Sequence, residues 1–198
     1  MSIETEDKIL EFLYASITDM QSAIRVNDTK AAVVMGILAL ALSNTGKIYL
    51  NFSKLYKAID CGANQWQWWL LITLFFASWL AAFIASIRAI MAIHSPASHI
   101  AATKRPPGTF YNGGKYDLGL GDAFFTRKLT SKVSLEDYTN ELPDSIEAIK
   151  QELVFEQMKL AYIRDMKAIR LKLAYMFVFV WLACGFIGRI LFLYNCSN

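Results

Sequence analysis

The stretch WQWWLLITLFFASWLAAFIASIR, residues 66–88, decides the fold class of this chain. It contains no charged residue before Arg88, and tryptophans cluster at its beginning, as they do where helices meet a membrane interface. A membrane-spanning helix needs about 20 mostly apolar residues. Residues 66–87 therefore predict a membrane span.

Two further stretches predict spans. Residues 173–193 are apolar except for Arg189. This side chain lies near the end of the stretch, where it can extend to the interface, and we prefer that interpretation to a charge lining a pathway. Residues 31–42 are uniformly apolar, but the following residues are polar: Ser43, Asn44, Thr45 and Lys47. A first span over 31–50 therefore either has its second half inside a bundle or ends early.

Outside the spans, the sequence predicts two helices. Apolar residues recur at helical spacing over residues 3–26, which predicts an N-terminal amphipathic helix. Pro143 suits the first turn of a second, cytosolic helix, and Glu147 complements the positive end of its dipole. No helix breaker separates this helix from residue 173, so we expect it to continue into the last span. The fold class is an all-α membrane protein with three transmembrane helices.

The distribution of lysine and arginine predicts the orientation. Residues 94–172 contain twelve of them, against two or three between the first two spans. The positive-inside rule places the long segment and the N-terminus in the cytoplasm and the C-terminus outside. Cys61 and Cys196 then lie on the same oxidising side; their spacing favours unpaired thiols, and the compartment permits a disulfide.

These segments predict three parts of the chain. Residues 1–93 hold the N-terminal helix and the first two spans, residues 94–172 form the cytosolic segment with its long helix, and residues 173–198 form the third span and a short external tail. The connector 95–142 is rich in proline and glycine but also in aromatic residues, which predicts that it packs onto something.

Small residues recur at helical spacing in two spans. Close contact drives helix association in lipid, and small side chains permit it. The second span has one such row every fourth residue, with a second row beside it, and the first span has another around Gly36. We predict helix packing by these rows, within a chain or between chains of a homo-oligomer: Ala77, Ala81, Ala85, Ala89; Ser78, Ala82, Ser86; and Ala32, Gly36, Ala39, Ser43, Gly46.

The motifs of common enzymes are missing. The sequence has no P-loop, GxSxG or HExxH motif, and His94 and His99 lack cysteine neighbours, so neither an enzyme nor a metal site is predicted. A small anion could bind in the cytosolic segment through two basic side chains, a stacking tyrosine and two glycine amides. These residues are Lys104, Arg105, Tyr111, Gly113 and Gly114. The alternative is a basic loop that meets anionic lipid.

Two motifs resemble a known family. The run Asp28-Thr29-Lys30-Ala31, followed by Gly36, resembles the D-x-K-A motif of Pycsar transmembrane effectors. Gln157, Lys167 and Ala174, which precede and enter the last span, are similar to that family's Q, K and A pattern. The resemblance covers roughly residues 24–188. The stretch PGTFYNGG and the polar end of the first span depart from the family pattern and leave its ligand site open.

The resemblance implies a bacterial antiphage effector of the inner membrane. Such an effector senses a cyclic pyrimidine nucleotide, cCMP or cUMP, from a partner cyclase, and then impairs membrane integrity so that infection aborts. A charge at membrane depth is costly without a partner. We therefore expect structural or gating roles for Asp28 and Lys30, with Asp28 paired to Lys167 or Arg170. The alternative is a constitutive scaffold or small channel without nucleotide control.

Overall fold

The computed structural model of the protein describes residues 3–43, 65–101, 131–132 and 134–196. Within these ranges the regular structure is helical. The helices are α1 (Ile3–Ser43), α2 (Gln65–Ile90), a short 3-10 helix (Pro96–His99), α3 (Leu135–Glu141) and α4 (Ile146–Cys196).

Three of these helices, α1, α2 and α4, are long and apolar enough to cross a membrane. The predicted second and third spans lie in α2 and α4, so the prediction of an all-α membrane protein with three spans is confirmed. Residues 31–43 of the predicted first span belong to α1. Residues 44–50, which would decide where this span ends, lie outside the described residues.

The helix α1 has no break where the sequence suggested a separate amphipathic helix. Residues 3–26 and residues 31–43 of the first span belong to one helix of 41 residues. The polar run 27–30 contains neither glycine nor proline, so its backbone can stay helical. Thr29 donates its hydroxyl to the carbonyl of Arg25 at 3.0 Å, a bond within the helix itself.

The helix α4 begins at Ile146, later than the predicted start at Pro143. The Ser145 side chain accepts a hydrogen bond from the Ala148 amide at 3.2 Å, which is the bond of a helix N-cap. From Ile146 the helix continues for 51 residues to Cys196. The prediction that the helix before residue 173 is continuous with the last span is therefore confirmed.

The chain forms two compact units that are not consecutive in sequence. The first unit comprises Met1–Ser22 and His94–Tyr162, and the second comprises Ala23–Ile93 and Ile163–Asn198. Both α1 and α4 therefore contribute residues to each unit.

In the first unit, α1 and α4 run parallel. The Gln157 amide donates to the Ser16 hydroxyl at 2.8 Å, and the Lys150 ammonium lies 4.0 Å from a carboxylate oxygen of Glu6. The residue numbers of both pairs rise together along the two helices, as only parallel helices allow. His99 stacks on Tyr162 with ring centroids 4.6 Å apart.

Buried residues in both long helices follow a seven-residue repeat. In α1, Ile17, Ala31 and Leu38 are separated by multiples of seven and are at most 4% exposed. In α4, the buried residues at intervals of seven are Leu153, Leu160, Lys167 and Ala174. Such a repeat is typical of helices that supercoil around each other with left-handed twist. Lys167 is the charged member of this α4 series.

The second unit packs three helices through small and aromatic side chains. Ala82 of α2 packs with Val34 and Leu38 of α1, and the half-buried aromatic residues around them include Trp79 and Trp181. The Trp79 indole donates to the Leu38 carbonyl at 3.1 Å and so joins α2 to α1.

The buried serines of α2 need no partner from another helix. Ser78 and Ser86 donate to carbonyls of their own helix, those of Phe75 and Ala82, at 3.0 and 2.8 Å. Their small side chains can therefore lie inside the helix packing without an unsatisfied hydroxyl.

Of the small-residue rows predicted from the sequence, the structure buries one within the chain. In α2 the buried row is Ser78, Ala82 and Ser86, whereas Ala77 is exposed and Ala81 and Ala85 are half-buried. In α1 the row Ala32, Gly36, Ala39 and Ser43 is exposed. A role of these exposed rows between chains stays a prediction.

Substitution of alanine for glycine should change stability differently at two positions in the spans. A Cβ at Gly36 would have no atom within 4 Å, whereas a Cβ at Gly185 would lie 3.3 Å from the Phe75 ring. Because alanine favours a helix over glycine, we expect Gly36→Ala to stabilise the protein by about 0.5–1 kcal/mol. Gly185→Ala should gain less or lose stability because the ring must shift. Thermal unfolding in detergent measures both, and equal gains would contradict this packing.

Candidate functional site: a polar layer between the three spans

One lysine of the second unit contacts all three spans. The ammonium of Lys167, on α4, donates to Oδ1 of Asp28 on α1 and to the backbone carbonyl of Ile90 on α2, the latter at 3.2 Å. Arg170, one turn further along α4, donates from Nη1 to the carbonyl of Arg88 at 2.6 Å. We call these groups the polar layer: the side chains of Asp28, Lys167 and Arg170 and the carbonyls of Arg88 and Ile90.

The polar layer forms where α2 ends. The last four carbonyls of a helix have no partner within it and carry the negative end of its dipole. In α2, Met91 N–H bonds the Ile87 carbonyl at 2.9 Å, and α4 supplies cationic donors to the carbonyls of Arg88 and Ile90. Lys167 and Arg170 therefore stabilise the end of α2 as well as contacting it.

The two members of the ion pair differ in exposure. The Lys167 side chain is 6% exposed, whereas that of Asp28 is 37% exposed. A buried ammonium is strongly unfavourable unless it is paired and hydrogen-bonded. Water can still reach the carboxylate, so the buried lysine depends on Asp28 more than Asp28 depends on it.

The apolar surroundings of the pair make its position specific. Ala31, Ala89 and Leu171, one from each helix, form a buried cluster in the same unit. A single polar residue in an otherwise apolar heptad seam fixes the register of the helices. A slip of α4 by seven residues would replace Lys167 by Leu160 or Ala174 opposite Asp28 and leave the ammonium against apolar side chains. The pair therefore fixes the axial register of α1 and α4 in the second unit.

The structure brings some of the residues singled out from sequence together. Of the two bases considered for Asp28, Lys167 is its partner, and Arg170 bonds a backbone carbonyl instead. Lys30 is exposed and has no partner in the described part of the chain. The candidate anion-binding residues Lys104, Arg105, Tyr111, Gly113 and Gly114 lie outside the described residues.

Besides Lys167, the other two residues of the Q, K and A pattern also lie at helix contacts. Gln157 bonds Ser16 in the first unit, and Ala174 is fully buried in the second. All three pattern residues of α4 are thus contact residues.

Sequence reasoning missed a buried acidic pair in the first unit. Glu152 and Glu156, one turn apart on α4, are 3% and 2% exposed. Glu156 pairs with Lys159, whose ammonium lies 5.1 Å from the centre of the Phe155 ring. Residues 149, 153, 156 and 160 have the spacing of one buried helix face. This spacing is the sequence feature that predicts burial of Glu156.

Burial raises the pKa of the Glu156 carboxyl above its ordinary value. The hydrogen bond and the charge of Lys159 act in the opposite direction, and the negative charge of Glu152 adds to the rise. Glu156 precedes the apolar stretch 173–193, so this pair belongs to the charged half of α4. Among residues whose placement is described, no group of three or more His, Cys, Asp or Glu could hold a metal ion.

The fold and the polar layer define a class, that of helical membrane proteins in which three spans meet at a buried ion pair. A family model described as the Pycsar effector protein domain matches residues 12–194, and the chain therefore belongs to the Pycsar effector family. Membership makes it an antiphage defence effector signalled by a cyclic pyrimidine nucleotide. No curated protein and no solved structure matches the chain.

Removing one partner of the ion pair should destabilise the protein unequally. Asp28→Asn leaves a buried ammonium without its counter-charge, and we expect a loss of about 2–3 kcal/mol, below the full loss at a wholly buried pair because Asp28 is partly in water. Lys167→Met leaves a carboxylate that water can reach, so its loss should be smaller. The free energies of unfolding in detergent measure both.

The double variant Asp28→Asn/Lys167→Met separates the pair from general packing. Its loss should be smaller than the sum of the single losses, because the second substitution removes the uncompensated charge. Asp19→Asn, at an exposed position of the same helix, is the matched control and should change stability by no more than about 0.5 kcal/mol. Additive losses would show that the two side chains are not coupled.

The raised pKa of Glu156 predicts a pH-dependent stability. Its folded-state pKa lies above the ordinary value of 4.5, so its contribution is fully present below that pH and is lost as the pH rises through the folded pKa. Glu156→Gln cannot ionise, so its melting temperature should rise relative to the wild type between acidic and neutral buffer. Glu11→Gln, exposed in the same unit, should show no such trend. A difference that is constant with pH would contradict the assignment.

Proposed function

We propose that this protein binds cCMP or cUMP, made by a partner cyclase during infection, and then impairs the inner membrane so that infection aborts. The match of a Pycsar effector domain over residues 12–194 carries this proposal, because it includes residues of all three helices that could span a membrane. In this role the nucleotide is an activating ligand and not a substrate. The protein then needs no catalytic group.

The proposed topology places the charged halves of α1 and α4 in the cytoplasm. Twelve basic residues between 94 and 172 support that orientation, with the C-terminus outside. Because α1 and α4 run parallel, their N-terminal halves belong to the same side of the membrane. The first unit, with its Ser16–Gln157 bond, is then the part that meets a cytosolic ligand.

The polar layer is the proposed gating element. A ligand shifts a two-state equilibrium only by the difference between its affinities for the two states. The Asp28–Lys167 pair and the bonds to the end of α2 favour one packing of the three helices. A nucleotide that binds better to a second packing would have to offset the loss of these bonds. Asp28, Lys167 and Arg170 are therefore gating residues in this proposal, together with Lys30, which is exposed two residues after Asp28 on α1.

Membrane damage requires more than one copy in this proposal, since three helices enclose little space by themselves. In lipid, small residues allow close helix contact. The row around Gly36 is exposed on α1, and a Cβ there would meet nothing. These observations support a homo-oligomer that forms through α1.

The nucleotide site is proposed in the cytosolic segment. Lys104 and Arg105 would bind the phosphate, Tyr111 would stack on the base, and the amides of Gly113 and Gly114 would add donors. This assignment rests on residue types and on the position of the segment between α2 and α4.

A constitutive membrane scaffold is the second candidate. One observation favours it: the polar layer is complete in the protein alone, with the Lys167 ammonium already bonded to a carboxylate and a carbonyl. A scaffold would have the same spans and the same ion pair. It would not respond to any cyclic nucleotide.

Thermal unfolding of the purified full chain with cyclic nucleotides tests the proposal. A ligand at a hundred times its dissociation constant stabilises a protein by about 2.7 kcal/mol. We expect a rise of the melting temperature with cCMP or cUMP and none with cAMP. No rise with either pyrimidine nucleotide would reject ligand control and favour the scaffold.

Dye uptake by cells that express the chain with a pyrimidine cyclase tests the second step. We expect uptake only when the cyclase is induced, and Asp28→Asn should alter it because the resting packing is weakened. Asp19→Asn is again the matched control. Unchanged uptake in the Asp28 variant would show that the polar layer does not gate the membrane.

A further inference from the structure

The second unit carries an excess of positive charge at the level of the polar layer. Residues 24–31, 88–93 and 163–172 contain seven basic side chains and two carboxylates, a net charge of +5. Both carboxylates are already paired, Asp28 with Lys167 and Asp165 with Arg164 at 2.9 Å.

Four of the basic side chains have no partner among the residues whose placement is described. They are exposed, they come from all three helices, and no ion pair or side-chain hydrogen bond joins them to other described residues. We call them the cationic collar: Arg25, Lys30, Arg88 and Lys172.

Three of the four members of the cationic collar lie at the edge of the apolar stretches. Lys30 immediately precedes Ala31, Arg88 follows Ile87, and Lys172 precedes the apolar stretch 173–193. In a membrane these positions fall at the headgroup level. Lysine and arginine can lay their aliphatic stems along apolar surface there while their charged ends reach the phosphates.

Like charges on three packed helices repel one another, and this repulsion opposes the packing unless counter-ions neutralise it. Among the described residues at this level, both carboxylates are bonded elsewhere and neither is available to the collar cations. No described carboxylate therefore pairs with the cationic collar, and a negative charge from outside the chain can neutralise it.

We infer that the phosphate groups of anionic phospholipids bind the cationic collar and stabilise the packing of the three spans. Anionic lipids hold phosphate at this depth at high local concentration, and each basic residue near such a surface is attracted by about 1 kcal/mol, or roughly fivefold in affinity. The inference does not depend on the nucleotide. It concerns the assembled protein in its bilayer before any signal arrives.

Reconstitution of the full chain in nanodiscs tests the inference. Melting temperatures are compared between phosphatidylcholine alone and mixtures with increasing phosphatidylglycerol. We expect the anionic lipid to raise the melting temperature of the wild type. The apparent affinity for phosphatidylglycerol should fall by about 25-fold in Lys30→Gln/Lys172→Gln, as two lost charges at about fivefold each predict.

Two further variants keep the test decisive. Arg25→Gln/Arg88→Gln removes the other half of the cationic collar and should show the same loss, which matters if the first pair folds poorly. Lys8→Gln is the matched control, since Lys8 is exposed on α1 but lies in the first unit and pairs with Glu4. It should retain the response of the wild type. Added salt should weaken the response by screening.

Three results would overturn the inference. One is a melting temperature that does not change with phosphatidylglycerol. Another is an equal response of the wild type and both collar variants, which would assign the effect to the bilayer as a whole. The third is an equal rise with glycerol phosphate added to phosphatidylcholine nanodiscs, which would make the cationic collar a site for soluble anions.

Discussion

The buried ammonium of Lys167 is the constraint on which the arrangement of the three spans depends. In lipid, helices gain little from hydrophobic exclusion, so close packing and polar contacts decide how they associate. The carboxylate and the carbonyl that Lys167 needs come from two different helices, Asp28 on α1 and Ile90 on α2. One side chain thus couples the axial positions of all three helices, and the small residues around it let their backbones approach.

Much of this fold follows from the sequence, because long apolar stretches and the absence of a breaker are local properties. Helix starts were less predictable: Pro143 was expected in the first turn, but α4 begins after Ser145, whose side-chain oxygen bonds a free amide of the first turn. The partner of Arg170 was not predictable either. It is a carbonyl at the end of α2, and its availability depends on where that helix ends in space.

The polar layer was predictable in part, for a reason that also explains what was missed. A charge beside an apolar stretch requires a partner, which pointed to Asp28 and a base on the last helix. The helical spacing of residues 149–160 also places Glu156 on the buried face of α4. The predicted face was defined by its apolar residues alone, so it did not include Glu156. Small residues were also ambiguous: the row around Ala81 and the row around Ala82 have the same spacing, and burial distinguishes them only in three dimensions.

A buried ion pair is not the most stable way to join two helices, because apolar side chains of similar volume often do as well or better. An apolar residue at position 167 would make the heptad seam apolar throughout. Packings displaced by seven residues would then differ little in free energy. The ion pair gives the three helices one preferred register. Packings in any other register are higher in free energy because they lose the pair. In the proposed gating, this difference must be large enough to hold the resting packing and small enough for a ligand to offset.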